Sequence, residues 1–105
     1  QNLANQVLAD LRSGLHVDRD ADLHMDMNYY APGYEQPNEK ASEAIKMLAR
    51  LEGLFVDPVY TGKALAGLID HIRTGKVEQG SNVVFWHTGG ATALFAEQQM
   101  LGDIF

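Results

Sequence analysis
The chain has 105 residues, room for one domain at most, and its 46% hydrophobic content excludes a disordered polypeptide. A net charge of −6 without any Lys/Arg cluster excludes a nucleic-acid footprint and an anionic membrane surface as partners. Cysteine is absent, so there is neither a disulfide framework nor a thiolate metal site, a composition that fits the cytoplasm.

The chain begins at Gln1 directly in a helical pattern, with neither a basic-then-apolar leader nor an apolar run long enough to span a bilayer; this predicts a piece of a longer polypeptide. Leu3, Val7, Leu8 and Leu11 predict a first helix ending near Gly14. His16 to Asp22 is polar, with acids at Asp18, Asp20 and Asp22, and reads as a surface loop. Leu23 to Tyr30 alternates apolar and polar residues, the period of a strand exposed on one side. The two prolines and the glycine of residues 31–38 make a loop, and Asn38 suits the N-cap of a helix with Ala41, Ala44, Ile45, Leu48 and Leu51 on one face. Gly53 closes that helix in a left-handed cap. Leu54-Phe55-Val56 reads as a buried strand end, and Leu65, Leu68, Ile69 and Ile72 predict a further helix stopped by Gly75. Val83 to Trp86 is a continuous apolar run, the mark of a strand covered on both faces. Ala91 to Ala96 begins a final helix, and Leu101 to Phe105 is an apolar tail. This alternation predicts an α/β unit with parallel strands and flanking helices, residues 1–105 forming a single partial domain.

Two turns carry the functional signal. Asp57-Pro58-Val59-Tyr60-Thr61-Gly62 opens a helix, where unpaired backbone N–H groups and the positive dipole end would face a ligand. His87-Thr88-Gly89-Gly90 repeats the arrangement after the apolar run, and open α/β sheets build ligand sites at such turns. Taken alone, Tyr60 and Thr61 suit an ordinary helix entry with a threonine cap better than they suit a site. Thr61-Gly62-Lys63-Ala64 is not a Walker turn, because its first glycine is misplaced and no Ser/Thr follows the lysine. The four histidines lack ligand spacing, and the 18–22 acids lack the glycine and bidentate glutamate of a calcium loop, so no metal is expected.

Several separated segments together resemble the D-cysteine desulfhydrase and aminocyclopropane-carboxylate deaminase family. They are Ala31-Pro32-Gly33-Tyr34 with Pro37-Asn38, Glu43-Ala44, Leu48 to Gly53, Asp57 to Asp70, His87 to Gly90, and Ala93 to Ala96. The resemblance implies the C-terminal part of the large domain of a pyridoxal-phosphate (PLP) enzyme of the tryptophan-synthase β-like fold. It also implies a small amino-acid substrate and a homodimeric parent. By position it makes Tyr60 an acid–base partner and Tyr34 a second catalytic tyrosine lining the substrate side. It sets Thr61, with Gly62, and Thr88, with Gly89, on the cofactor, one of the hydroxyls facing the pyridine nitrogen. The deaminases carry glutamate at the position of Thr61, so a neutral hydroxyl there favours β-elimination from D-cysteine, giving pyruvate, sulfide and ammonia. The chain departs from the family at Glu35-Gln36, where glycine is usual, and at Trp86, which is larger than expected. The Schiff-base lysine, the carboxylate-binding turn and the phosphate cradle of the family have no match here, and Lys63 matches a non-catalytic position; the piece alone is expected to be inactive. Ring opening of aminocyclopropane-carboxylate, a cysteate-type lyase, and a non-catalytic α/β module that binds a small anion or a partner protein remain the alternatives.

Overall fold
A computed structural model describes residues 1–33, 36 and 38–96. Among the described residues, five α-helices follow in chain order: α1 (Asn2–Asp10), α2 (Arg19–Asp22), α3 (Glu39–Glu52), α4 (Thr61–Arg73) and α5 (Ala91–Ala96), with a 3-10 turn at Met27–Tyr29. No helix among the described residues is long and apolar enough to cross a membrane.

Local chemistry accounts for the two long helices. Asn38 accepts from the Ala41 N–H at 3.0 Å, and Gly53 ends α3 with φ 66°, a left-handed conformation that costs glycine little. Both were expected from the sequence. The buried face of α3 is Ala41, Ala44 and Ile45, whereas Leu51 at its C-terminus is 72% exposed. α4 packs across it, so that Ala44, Ile45, Val56, Leu65, Ala66 and Leu94 form the core, with Leu48, Leu68, Ile69 and Phe85 at its margin. Ile72, expected in register with that face, lies beyond the contact and is exposed.

A polar lattice ties the 27–29 turn and α3 to α4. The Tyr29 hydroxyl donates to Asp70 at 2.6 Å, His71 Nε2 lies 2.9 Å from Asp26, and Arg73 pairs with Glu43 at 2.8 Å. The Tyr29 ring lies against Gly67, where a Cβ would come within 3.1 Å of ring carbon Cδ2. The Asp70 carboxylate that accepts the Tyr29 proton pushes the phenol pKa up to about 12.

Three expectations need correction. The first helix stops at Asp10, before Gly14, because Arg12 takes φ 52° and Ser13 N bonds back to Leu8 O at 2.8 Å, a left-handed C-terminal closure. The acids at 18–22 build a helical turn rather than an open loop. Asp18 accepts from the N–H groups of Asp20 and Ala21, while Asp22 accepts from Asp18 N at 2.7 Å, a reciprocal cap. Among the described residues there is no β ladder, so the parallel strands expected at 23–30, 54–56 and 83–86 are absent as strands. Leu23, Met25 and Met27 are exposed around a 3-10 turn capped by Asp26, and Val84 and Trp86 are 86% and 80% exposed. A strand covered on both faces needs neighbours to accept and donate its backbone hydrogen bonds, and residues 83–86 have no such neighbour among those described. The expected apolar tail at 101–105 lies outside the described residues.

The radius of gyration is 16.0 Å. A self-contained domain of about 105 residues would have about 13 Å. With Leu3, Val7 and Leu11 of α1 also exposed, the apolar surface exceeds what the chain itself covers.

Candidate functional site
Asp57 organises the first turn. Its side chain is 1% exposed, and Oδ2 accepts from the N–H groups of Val59 and Tyr60, each at 2.7 Å. Oδ1 accepts from Thr61 N at 2.8 Å and from the Thr61 hydroxyl at 2.5 Å. Asp57 N donates to Thr61 Oγ1 at 2.9 Å, and Gly62 N donates to Asp57 O at 2.7 Å. Burial raises the Asp57 pKa, but the Thr61 hydroxyl and the three backbone N–H groups outweigh it and hold the carboxyl below its ordinary value.

These bonds correct one sequence expectation. The start of α4 is not an open anion site, because the N–H groups of residues 59–62 are taken by Asp57 itself, acting as an internal anion at the helix dipole. Asp57 was the residue that sequence reasoning passed over. The available signal was an aspartate followed by proline and then, four residues on, by the threonine that opens a helix.

The second turn lies against the first. His87 Nε2 bonds to Phe55 O at 2.7 Å, and Gly89 N donates to His87 Nδ1 at 3.0 Å. A carbonyl only accepts and an amide N–H only donates, so these partners assign the neutral tautomer with the proton on Nε2. Thr61 Oγ1 lies 3.5 Å from Gly89 O, and Gly90, at φ 92°, approaches so closely that a Cβ would fall 2.6 Å from Asp57 Oδ1.

The expected site residues divide between two sides of this knot. Thr61 and Gly62 are buried beneath it, Thr61 with its proton on Asp57. Thr88 is exposed, and Gly89, at φ 103°, faces open space. Tyr60 is 62% exposed and lines a groove of about 580 Å³ with Tyr30, Val59, Lys63, Leu68 and His71 among others. Tyr34 lies outside the described residues. Among the described residues, no three His, Asp or Glu side chains group around a metal position.

Lys63, 6% exposed, sends its ammonium to Gly33 O at 2.7 Å and Tyr30 O at 3.3 Å. It thus fastens the loop before Tyr34 to α4. Lys63→Met is expected to free that loop, since hydrogen bonds to a charged donor are worth about 1.5–3 kcal/mol. Amide hydrogen exchange within residues 30–33 should accelerate; unchanged exchange would show that the clamp carries no load.

The carboxylates of Asp18, Asp26, Glu43, Asp57 and Asp70 all sit below their ordinary pKa values, Asp26 at about 2. For a depressed carboxyl, stability is present above the unfolded pKa, about 4, and is lost as pH falls through the lower folded value. Tyr29, raised, contributes below its unfolded pKa of about 10 and loses that contribution as pH rises through about 12. Thermal stability should therefore be level between about pH 5 and 9 and fall on both sides. A maximum at pH 4 or below, measured by calorimetry, would contradict the carboxylate assignments.

Residues 3–89 match the family described as pyridoxal-phosphate dependent enzyme. The chain is also similar to D-cysteine desulfhydrase of Salmonella typhi and of Salmonella newport. In each case it is 55% identical over 76 residues, covering 72% of this chain and 23% of the relative. The chain thus spans about a quarter of the length of the curated relatives it matches. The donor set at the joined turns is compatible with an uncharged polar edge of pyridoxal phosphate. Thr88 offers a neutral hydroxyl beside open space, while the nearby carboxylate of Asp57 is saturated by protein donors. Lys63 offers no amine to the cofactor's aldehyde, its ammonium being committed to two carbonyls. By the span of the match, this chain belongs to the pyridoxal-phosphate-dependent enzyme family.

Proposed function
We propose that this chain is the ring-nitrogen side of a PLP-dependent carbon–sulfur lyase that eliminates sulfide from D-cysteine. The observation that carries the reading is the 55% identity to D-cysteine desulfhydrases over 76 residues of this chain. Bound PLP would supply an electron sink for the breaking of bonds at the substrate's α- and β-carbons. Thr88 presents its hydroxyl to the ring nitrogen, and a neutral partner leaves that nitrogen unprotonated where a carboxylate would hold a proton on it. Thr61, its own proton on Asp57, braces that contact from beneath, Gly62 lets the Asp57 backbone come close, and Gly89, at φ 103°, leaves open space beside Thr88. Tyr60, from the groove side, moves a proton at its phenol oxygen, and Tyr34 closes the substrate side.

The remaining catalytic parts, a lysine for the aldehyde and a cradle for the phosphate, belong to the rest of the enzyme, which works as a homodimer in the cytoplasm. There, neighbouring strands pair with residues 54–56 and 83–86 and complete the parallel sheet of the tryptophan-synthase β-like fold. The exposed Val84 and Trp86 support this, since apolar side chains in an unpaired segment are costly to leave in water. The test is sulfide release from D-cysteine by the complete enzyme loaded with PLP, with L-cysteine as control. Release from the D isomer alone is expected. No release despite bound cofactor would move the substrate to an aminocyclopropane-carboxylate or a cysteate-type amino acid.

A further inference from the structure
The geometry points to Asp57 as a positioning residue that sets where the Thr88 turn lies relative to the Tyr60 turn, an inference that rests on the cofactor reading above. The carboxylate has four donors on two oxygens, two on each, so its orientation is fully determined. Three of these donors are backbone N–H groups and therefore fix the path of Val59, Tyr60 and Thr61. The fourth, the Thr61 hydroxyl, also faces Gly89 O at 3.5 Å. From the other turn, Gly90 rests on the same carboxylate, where a Cβ would lie 2.6, 2.8 and 2.9 Å from Oδ1, Cγ and Cβ of Asp57. The first turn thus wraps the carboxylate and the second packs against it. His87, bonded to Phe55 O two residues before Asp57, holds the second turn to the same segment from its other end.

Asparagine in place of Asp57 keeps the shape and removes half of the acceptors. Its amide group must face either Thr61 N or the pair from Val59 and Tyr60, and in both orientations a backbone N–H meets another donor. The first turn must shift, and the Gly90 contact carries that shift to Thr88, although Asp57 itself touches neither cofactor nor substrate.

The test uses the complete PLP-loaded enzyme in four forms: wild type, Asp57→Asn, Thr88→Val and the double variant. Two quantities are read, the absorption maximum of the bound cofactor and its dissociation constant. Asp57→Asn is expected to displace the maximum in the same direction as Thr88→Val and to raise the dissociation constant about tenfold, as loss of one strong hydrogen bond would. The double variant should match Thr88→Val within about twofold, because coupled residues are not additive. A displaced maximum in Thr88→Val with a wild-type maximum in Asp57→Asn overturns the coupling alone, even if the melting temperature falls. Additive effects in the double variant overturn it as well. Wild-type spectra in both single variants overturn the cofactor reading and the coupling with it. Should Asp57→Asn fail to fold, Gly90→Ala addresses the same contact from the other turn, and a wild-type absorption maximum there overturns the proposal.

Discussion

Gly62→Ala should lower the stability of the protein by about 3 kcal/mol, the upper end of what overpacking costs. In an exposed helix interior the same change would stabilise by about 1 kcal/mol, because alanine loses less backbone entropy. Here the sign reverses. A Cβ on Gly62 would lie 2.5 Å from Asp57 O and 3.1 Å from both Cδ1 and Cγ1 of Ile45. The first neighbour is backbone that already accepts the Gly62 N–H at 2.7 Å, and the second belongs to a fully buried core residue. Neither can yield without opening the turn or separating α3 from α4. Gly67→Ala, five residues along the same helix, is the control. The nearest neighbours of its added methyl would be atoms of the Tyr29 ring, which can give by a few tenths of an ångström, so helix propensity and crowding offset and the change should stay within about 1 kcal/mol. Calorimetry of the two variants checks both statements. Equal melting temperatures would mean that the Asp57 turn is softer than its hydrogen bonds imply.

What the sequence made legible follows the range of the interactions involved. α3 is bounded by Asn38 and Gly53, and α4 carries its apolar residues at helical spacing; these signals act within a turn or two and need nothing else. The apolar runs at 54–56 and 83–86 are different. Whether such a run becomes a strand depends on a neighbour's backbone, and a chain that spans 23% of its relatives offers those two segments no pairing among the described residues. The alternation in 23–30 misled for a local reason. Asp26 caps Asn28, and Tyr29 turns toward Asp70 and Gly67, so side-chain bonds override the period-2 pattern.

The site was legible as two turns and not as one object. Both glycine-bearing segments stood out, but their union depends on His87 reaching back 32 residues to Phe55 and on Gly90 seating against the Asp57 carboxylate. The sequence also suggested a helix mouth open to an anion, whereas a buried carboxylate already holds that mouth closed. The proposed function therefore gives the ring contact to the exposed Thr88 and makes Thr61 its brace.

Tyr60→Phe should reduce kcat of the complete enzyme on the order of 10²-fold, the lower range for loss of a general acid or base, with the PLP dissociation constant unchanged. The split follows from how Tyr60 is held. Its backbone N–H is bonded to Asp57 Oδ2, and its side chain, 62% exposed, points away from the core into the groove shared with Tyr30, Lys63 and His71. Phenylalanine keeps the ring and that backbone bond to Asp57. What is removed is the phenol hydroxyl, the group to which the proposed function gives a proton transfer. A variant that loses cofactor affinity and turnover together would make Tyr60 part of the cofactor floor. A variant with unchanged kcat would remove it from the reaction, leaving Tyr34 to supply the proton. The double replacement at Tyr34 and Tyr60 then separates the two. If one phenol acts alone, the second replacement adds nothing, and if each serves a different proton transfer, the losses multiply.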